Sequence, residues 1–132
     1  GSEYAFEDLT SFEVAKFSYK YLRDEMVDDI ACFVIELTPK YKHSGYTREV
    51  VWIDQLRYIV IKVDYYDRKK SLLKSQTFKG YKQYLNQYWR AGEQLMTNHQ
   101  NGKSTELLWD DYQFGMELTN RDFDKNTLKR AR

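Results

Sequence analysis

The sequence predicts a mainly β fold, an antiparallel meander of about seven strands with a short helix near the C-terminal end. Three observations predict it. The chain holds twelve Tyr, seven Phe and three Trp but one Pro, and bulky aromatic and β-branched residues pack well on a pleated surface. Apolar and polar residues alternate with a period of two through most segments. Turn signals recur at roughly ten-residue spacing, and no helical stretch is long enough to bridge parallel neighbours.

The elements follow in chain order. Glu3 to Lys16 is acidic and irregular, and Asp8 or Thr10 caps at most a short helical turn there. Phe17 to Tyr21 alternates as a first strand, and Asp28-Asp29 turns the chain after Val27. Ala31 to Thr38 is a second strand, closed by Pro39, with Phe33, Ile35 and Leu37 on one face. Lys40 to Tyr46 is a polar loop, Glu49 to Asp54 a third strand, and Gln55-Leu56-Arg57 a short connection. In the fourth strand, Tyr58 to Tyr66, Lys62 and Asp64 alternate with Ile61, Val63 and Tyr65, which assigns the latter three to the inward face. Asp67 to Lys70 is a hairpin turn. Leu72 to Tyr84 is a fifth strand with Gly80 as a bulge or bend. Asn86-Gln87 turns into a sixth, Tyr88 to Asn98. His99-Gln100-Asn101-Gly102 is a strong hairpin signal, because Asn-Gly accepts the positive φ that tight turns require. Lys103 to Phe114 is a seventh strand. Leu118 to Phe123 reads as a short helix capped by Thr119 or Asn120, ahead of a basic tail.

At 132 residues the chain fits one domain, residues 1–132, able to bury roughly two thirds of the surface its unfolded form exposes. Lys and Arg number 21 against 20 Asp and Glu. Such a balance argues against phosphate neutralisation, so nucleic acid is not an expected partner. No apolar run approaches the roughly 20 residues of a membrane-spanning helix. The single cysteine, Cys32, cannot make an internal disulfide. The chain opens Gly1-Ser2 without Met, which resembles the scar of a cleaved purification tag.

Residues that invite a chemical role do not assemble into one. His43 lies in a polar loop and His99 at a hairpin tip, and both read as solvated. No His, Cys or carboxylate spacing resembles a zinc site, so neither metal nor cofactor is expected. Asp28-Asp29 and Asp110-Asp111 are paired acids, but neighbours on a strand point to opposite faces, and catalytic carboxylates must converge. Cys32 in a strand reads as a small buried side chain. No catalytic residue is therefore expected.

The aromatics pose the real choice. Singly, Trp52, Trp89, Trp109 and the tyrosines suit core and cross-strand pairs. Taken together, a wide twisted meander has one concave apolar face, and this chain offers almost no helix to cover it. The face needs a cover of helices, a partner or an apolar ligand, so either the sheet closes on itself as a small barrel or that cover is missing. Phe33, Ile35, Leu37, Ile61, Val63, Tyr65, Phe78 and Leu95 are the expected lining.

Several segments also occur in an order shared with a known family. Cys32 to Lys40 (CFVIELTPK) is similar to that family's C-Y-V-L-E-L-T-P-K segment, and Val51 to Asp54 matches its W-I-D strand. Ile61 to Asp67 (IKVDYYD) resembles its L-K-V-E-Y-Y-D strand and turn. Leu73-Lys74, Phe78, Tyr81 and Tyr88-Trp89 follow in order. Thr105 to Phe114, with Leu118 and Phe123, resembles its ending, although Asn120 stands where an acid is common. The order and spacing of the pieces, more than any one of them, make the chain resemble the C-terminal part of the outer-membrane lipoprotein-sorting, LolA-like, family.

The resemblance implies an open half-barrel of about eleven antiparallel strands, of which this chain holds about seven, as the C-terminal fragment of a longer protein. It implies a non-enzymatic periplasmic carrier that shields lipid or lipoprotein acyl chains on their way to the outer membrane, partnered by an inner-membrane transporter of hydrophobic molecules. A fragment would also expose a sheet edge open to self-association. The alternative is a non-enzymatic interaction module of a cell-envelope transport system that holds no lipid. An enzyme would require His43 or His99 to meet Cys32 or an acid inside a pocket.

Overall fold

The computed structural model of the chain describes residues 3, 16–42, 44–86, 88–109 and 119–123. Ten strands occur among them: β1 (Phe17–Val27), β2 (Ile30–Pro39), β3 (Arg48–Asp54), β4 (Val60–Tyr66), β5 (Leu72–Lys79), β6 (Lys82–Tyr84), β7 (Tyr88–Arg90), β8 (Glu93–Asn98), β9 (Ser104–Leu108) and β10 (Thr119–Phe123). Eight form one open antiparallel sheet in the order β1-β2-β3-β4-β5-β8-β9-β10, and β6 pairs with β7 in a separate ribbon. The mainly β, antiparallel, meandering fold expected from the alternation is the fold observed.

The turns show why this sequence folds this way locally. Asp28 and Asp29 both take positive φ, 47° and 65°, as a two-residue hairpin of this handedness requires. Short polar side chains tolerate that region better than most. Gly102 has φ 76°, and its amide donates to the Asn98 carbonyl at 2.9 Å. The Asp67 carboxylate accepts from the amides of Lys69 and Ser71 at 2.9 and 3.0 Å. Each of these turns is encoded within four or five residues.

Alternation then sorts the side chains onto two faces. On the first, Phe17, Leu37, Tyr46, Val51, Val63, Tyr65, Met96 and Leu107 form a buried cluster. On the second, Cys32, Val34, Val50, Trp52, Ile59 and Ile61 form another. Both faces are apolar, where alternation predicted a single concave apolar face. The reason lies in what folds over each. Tyr41 and Tyr46 from the loop after β2 pack on the first, with the Tyr46 and Tyr65 rings 4.8 Å apart. Tyr81 and Trp89, at the base and in β7 of the small ribbon, pack on the second.

That ribbon corrects the sequence reading. The expected fifth and sixth strands do not run unbroken from Leu72 to Tyr84 and from Tyr88 to Asn98. Both break at glycine. Gly80 takes φ +66°, and the Gly92 amide reaches the Lys79 and Gly80 carbonyls at 3.0 and 3.1 Å. Residues 81–86 and 88–90 therefore leave the main sheet and fold over its second face. A Cβ on Gly92 would sit 3.0 Å from the Gly80 carbonyl oxygen, a backbone atom that cannot swing aside. Gly92→Ala should cost about 1–3 kcal/mol, as overpacking does. A urea melt reads the loss, and the Trp89 emission should shift to the red as the ribbon loosens. An unchanged midpoint would refute the pivot.

The C-terminal helix is a second correction. Residues 119–123 form β10, paired antiparallel with β9 from Thr119 against Leu108 to Phe123 against Ser104. Local capping signals there lose to the ladder offered by the open edge of β9. The expected turn near Asp8 or Thr10, and residues 110–114 of the expected seventh strand, lie outside the described residues.

Candidate functional site

The eight expected lining residues do not all share a face. Phe33, Ile35 and Leu37 of β2 stand in register with Ile53, Val51 and Glu49 of β3. Val63 and Tyr65 of β4 lie opposite Val51 and Glu49. Phe78 packs against the same cluster. Those six therefore meet on the first face. Ile61 does not: the register shifts between Trp52 and Ile53, where β4 carries one extra residue. The bulge turns Ile61 into the second cluster beside Trp52. Leu95 pairs with Thr77 and Glu106, one residue out of phase with Met96, so it also points to the second face.

The first face is not uniformly covered. Leu37, Val63 and Tyr65 are buried, the last with its hydroxyl donating to Gln76 Oε1 at 2.8 Å. Lys74, also buried, donates to the Glu3 carbonyl at 2.8 Å and lies over the Tyr46 ring. Toward the other end of the strands the cover thins. Phe33, Ile53, Val60 and Phe78 are only half-buried. Phe33 pairs with Ile53 and Ile53 with Val60, so an apolar row crosses β2, β3 and β4 and continues at Phe78 of β5. Reading parity in Val51-Trp52-Ile53 would have found Ile53. Val60 was hidden by the bulge.

The second face carries a polar chain across its strands. The Trp52 indole donates to Glu25 Oε2 at 2.7 Å, and this bond, aided by Arg23, holds the Glu25 carboxyl below its usual value. Lys62 Nζ lies 4.7 Å from the Trp52 ring centre and 3.7 Å from the Asp64 carboxylate. Ser75 Oγ donates to Asp64 at 2.6 Å, and His99 Nε2 lies 2.7 Å from Ser75 Oγ. His99 is exposed, as expected, but tethered rather than simply solvated.

A histidine, serine and aspartate in contact suggest hydrolysis, and the direction of the bonds argues otherwise. A serine nucleophile passes its proton to histidine. Here the Ser75 proton goes to Asp64, so His99 must donate to Ser75 rather than accept from it. The arrangement ties β4, β5 and the β8–β9 turn together and does not activate an oxygen. Cys32 is fully buried, and burial first, then Asp54 and Glu25, pushes its thiol above the ordinary value. A thiol so placed is a poor nucleophile. Asp28 and Asp29 are exposed turn residues. His43, Asp110 and Asp111 lie outside the described residues.

An open antiparallel sheet with a partly bare apolar row defines a half-barrel β-sheet domain. Residues 1–130 match a protein family described as "-like: Uncharacterized protein". The chain is 46% identical to a domain from Vibrio parahaemolyticus described as an outer membrane lipoprotein-sorting protein domain, with a TM-score of 0.82 over 98% of this chain and 53% of that one. It is 28% identical to a DUF1329 family protein from Desulfovibrio piger, TM-score 0.77, covering 84% and 48%. A LolA superfamily protein from Nitrosomonas europaea shares the fold at 20% identity, TM-score 0.75, covering 96% and 55%. No curated protein sequence matches. The chain belongs to the family whose model it matches over residues 1–130, and its fold is LolA-like. It spans about half the length of the solved relatives it matches. Among the described residues, no helix is long and apolar enough to cross a membrane.

Proposed function

We propose that the chain is part of a periplasmic carrier that holds the acyl chains of a lipid or lipoprotein on its first sheet face and passes them towards the outer membrane. The observation that carries this reading is the half-buried row Phe33, Ile53, Val60 and Phe78, laid across four neighbouring strands beside a packed core. The lipoprotein-sorting description of the Vibrio relative supports it. Burying a methylene is worth about 0.8 kcal/mol, so about ten methylenes supply a gross 8 kcal/mol before the cost of association. No bond changes during such transfer, so no catalytic residue is required. The partner would be an acceptor or transporter able to outbid that burial.

A second reading, an interaction module without lipid, draws on the filled half of the same face, where Tyr46, Met96 and Leu107 are buried against one another in a packed cluster. One experiment separates the two. Purified protein is titrated with a fluorescent uncharged diacylglycerol, alongside Ile53→Glu and Phe33→Glu. The carrier predicts saturable uptake that falls by about tenfold or more in either variant, with the circular dichroism spectrum unchanged. No uptake by the parent chain, or uptake indifferent to both substitutions, refutes the carrier and favours the module.

A further inference from the structure

A cleft of about 290 Å³ opens on the second face, where the β1–β2 turn, the β3–β4 turn and the end of β5 meet. Its walls are apolar: Val27, Ile30, Ile61 and the ring of Tyr81. The Tyr81 hydroxyl is spent on the Val60 carbonyl, and burial pushes its phenol far above the ordinary value. Arg57, Lys62 and Lys79 also line it, against a single acid, Asp28.

Much of that positive charge is unspent. Arg57 gives Nε to Asp54 Oδ2 at 2.8 Å and lies near the Trp89 ring. Its two terminal nitrogens have no hydrogen-bond partner among the described residues. The Lys79 ammonium makes no hydrogen bond or ion pair among them, its carbonyl alone accepting from Gly92, and Lys62 stands a loose 3.7 Å from Asp64. Spare cationic donors around an apolar floor suit a ligand with an anionic head and a hydrocarbon body. The volume is small for a whole long-chain lipid, so the cleft takes the head and the first stretch of one chain.

We propose that this cleft binds a single-chain anionic amphiphile, the head held by Arg57 and Lys79 and the first methylenes lying on Val27, Ile30, Ile61 and Tyr81. Phe78 of the acyl row also lines this cleft, but Phe33, Ile53 and Val60 do not, so substitutions at those positions test the two sites apart. Carboxylate and phosphate heads share the required chemistry.

Calorimetric titration tests it with dodecanoate, dodecyl phosphate, dodecanol and acetate, on the parent chain, Lys79→Glu and Ile53→Glu. Both dodecyl anions should bind at least about tenfold more tightly than dodecanol or acetate. The tighter of the two names the natural head. Lys79→Glu, at an exposed position whose side chain is unbonded among the described residues, should weaken both anions about fivefold or more without altering diacylglycerol uptake. Ile53→Glu should leave them unchanged, which separates failure of this site from failure of the carrier. Dodecanol binding as well as dodecanoate, acetate binding as well as either, affinity undiminished in Lys79→Glu, or no binding at all would each overturn the proposal.

Discussion

Met96→Ala should lower the stability of the fold by about 3 kcal/mol, the middle of the range for truncating a large buried side chain. Met96 is wholly inaccessible to solvent and belongs to the first-face cluster with Tyr65 and Leu107. It sits on β8, in register with Gln76 of β5 and Thr105 of β9. Both of those are themselves buried, so the neighbours that would have to collapse into the hole are held by two ladders. The removed atoms lose their transfer energy, and the cavity adds its own cost. For a domain of this size that corresponds to roughly 10 °C in Tm. Leu72→Ala, at a side chain 37% exposed near the start of β5, is the control and should cost less than about 1 kcal/mol. Urea melts of the two variants give the comparison. Equal losses would show that Met96 does not occupy the core described here.

Asp54→Ala should cost about 2 kcal/mol through a different mechanism, the loss of acceptors for donors that then stay unsatisfied. Asp54 is 4% exposed. Its Oδ1 accepts from the amides of Leu56 and Arg57 at 2.8 and 3.2 Å, and its Oδ2 from Arg57 Nε at 2.8 Å. The carboxylate thereby shapes the β3–β4 turn, in which Tyr58 takes φ 55°. Burial alone would raise its pKa, but the Leu56 amide and both Arg57 contacts outweigh it and hold the carboxyl below the ordinary value. The unfolded chain therefore takes up this proton at a higher pH than the folded chain does. The stabilisation is full above about pH 5 and is lost as the pH falls through the ordinary carboxylate value towards the lower folded one. The gap between parent and Asp54→Ala should be constant from neutral pH down to that point and then close. Asp54→Asn keeps an acceptor for the two amides but loses the ion pair, and should fall between them. A gap that persists unchanged at pH 3 would refute the role assigned to the charge.

The elements that could be read from the sequence are those with local causes. Strands β2, β3 and β4 announce themselves through alternation. The hairpins at Asp28-Asp29 and at Asn101-Gly102 announce themselves through residues that accept positive φ. Six of the eight residues expected to share a face do so, because parity within a strand is a property of the chain alone. Ile61 escaped because one extra residue in β4 reverses parity, and a bulge depends on how two strands match. Leu95 escaped because its face is set by its cross-strand register with Thr77 and Glu106. The Arg57 and Lys79 cleft left no local signal at all, since its walls come from four separate segments.

The sequence by itself determined a mainly β chain, its strand-forming stretches, its tight turns and its resemblance to the LolA-like family, because period-two patterning and turn chemistry act within a few residues. The tertiary structure alone decided that Gly80 and Gly92 approach closely enough to peel off a ribbon, that this ribbon makes the second face apolar too, and that residues 119–123 join the sheet as β10. Each of those outcomes turns on which backbone groups meet across a long loop. That choice is settled by packing and hydrogen-bond pairing between distant segments, and no local propensity carries it.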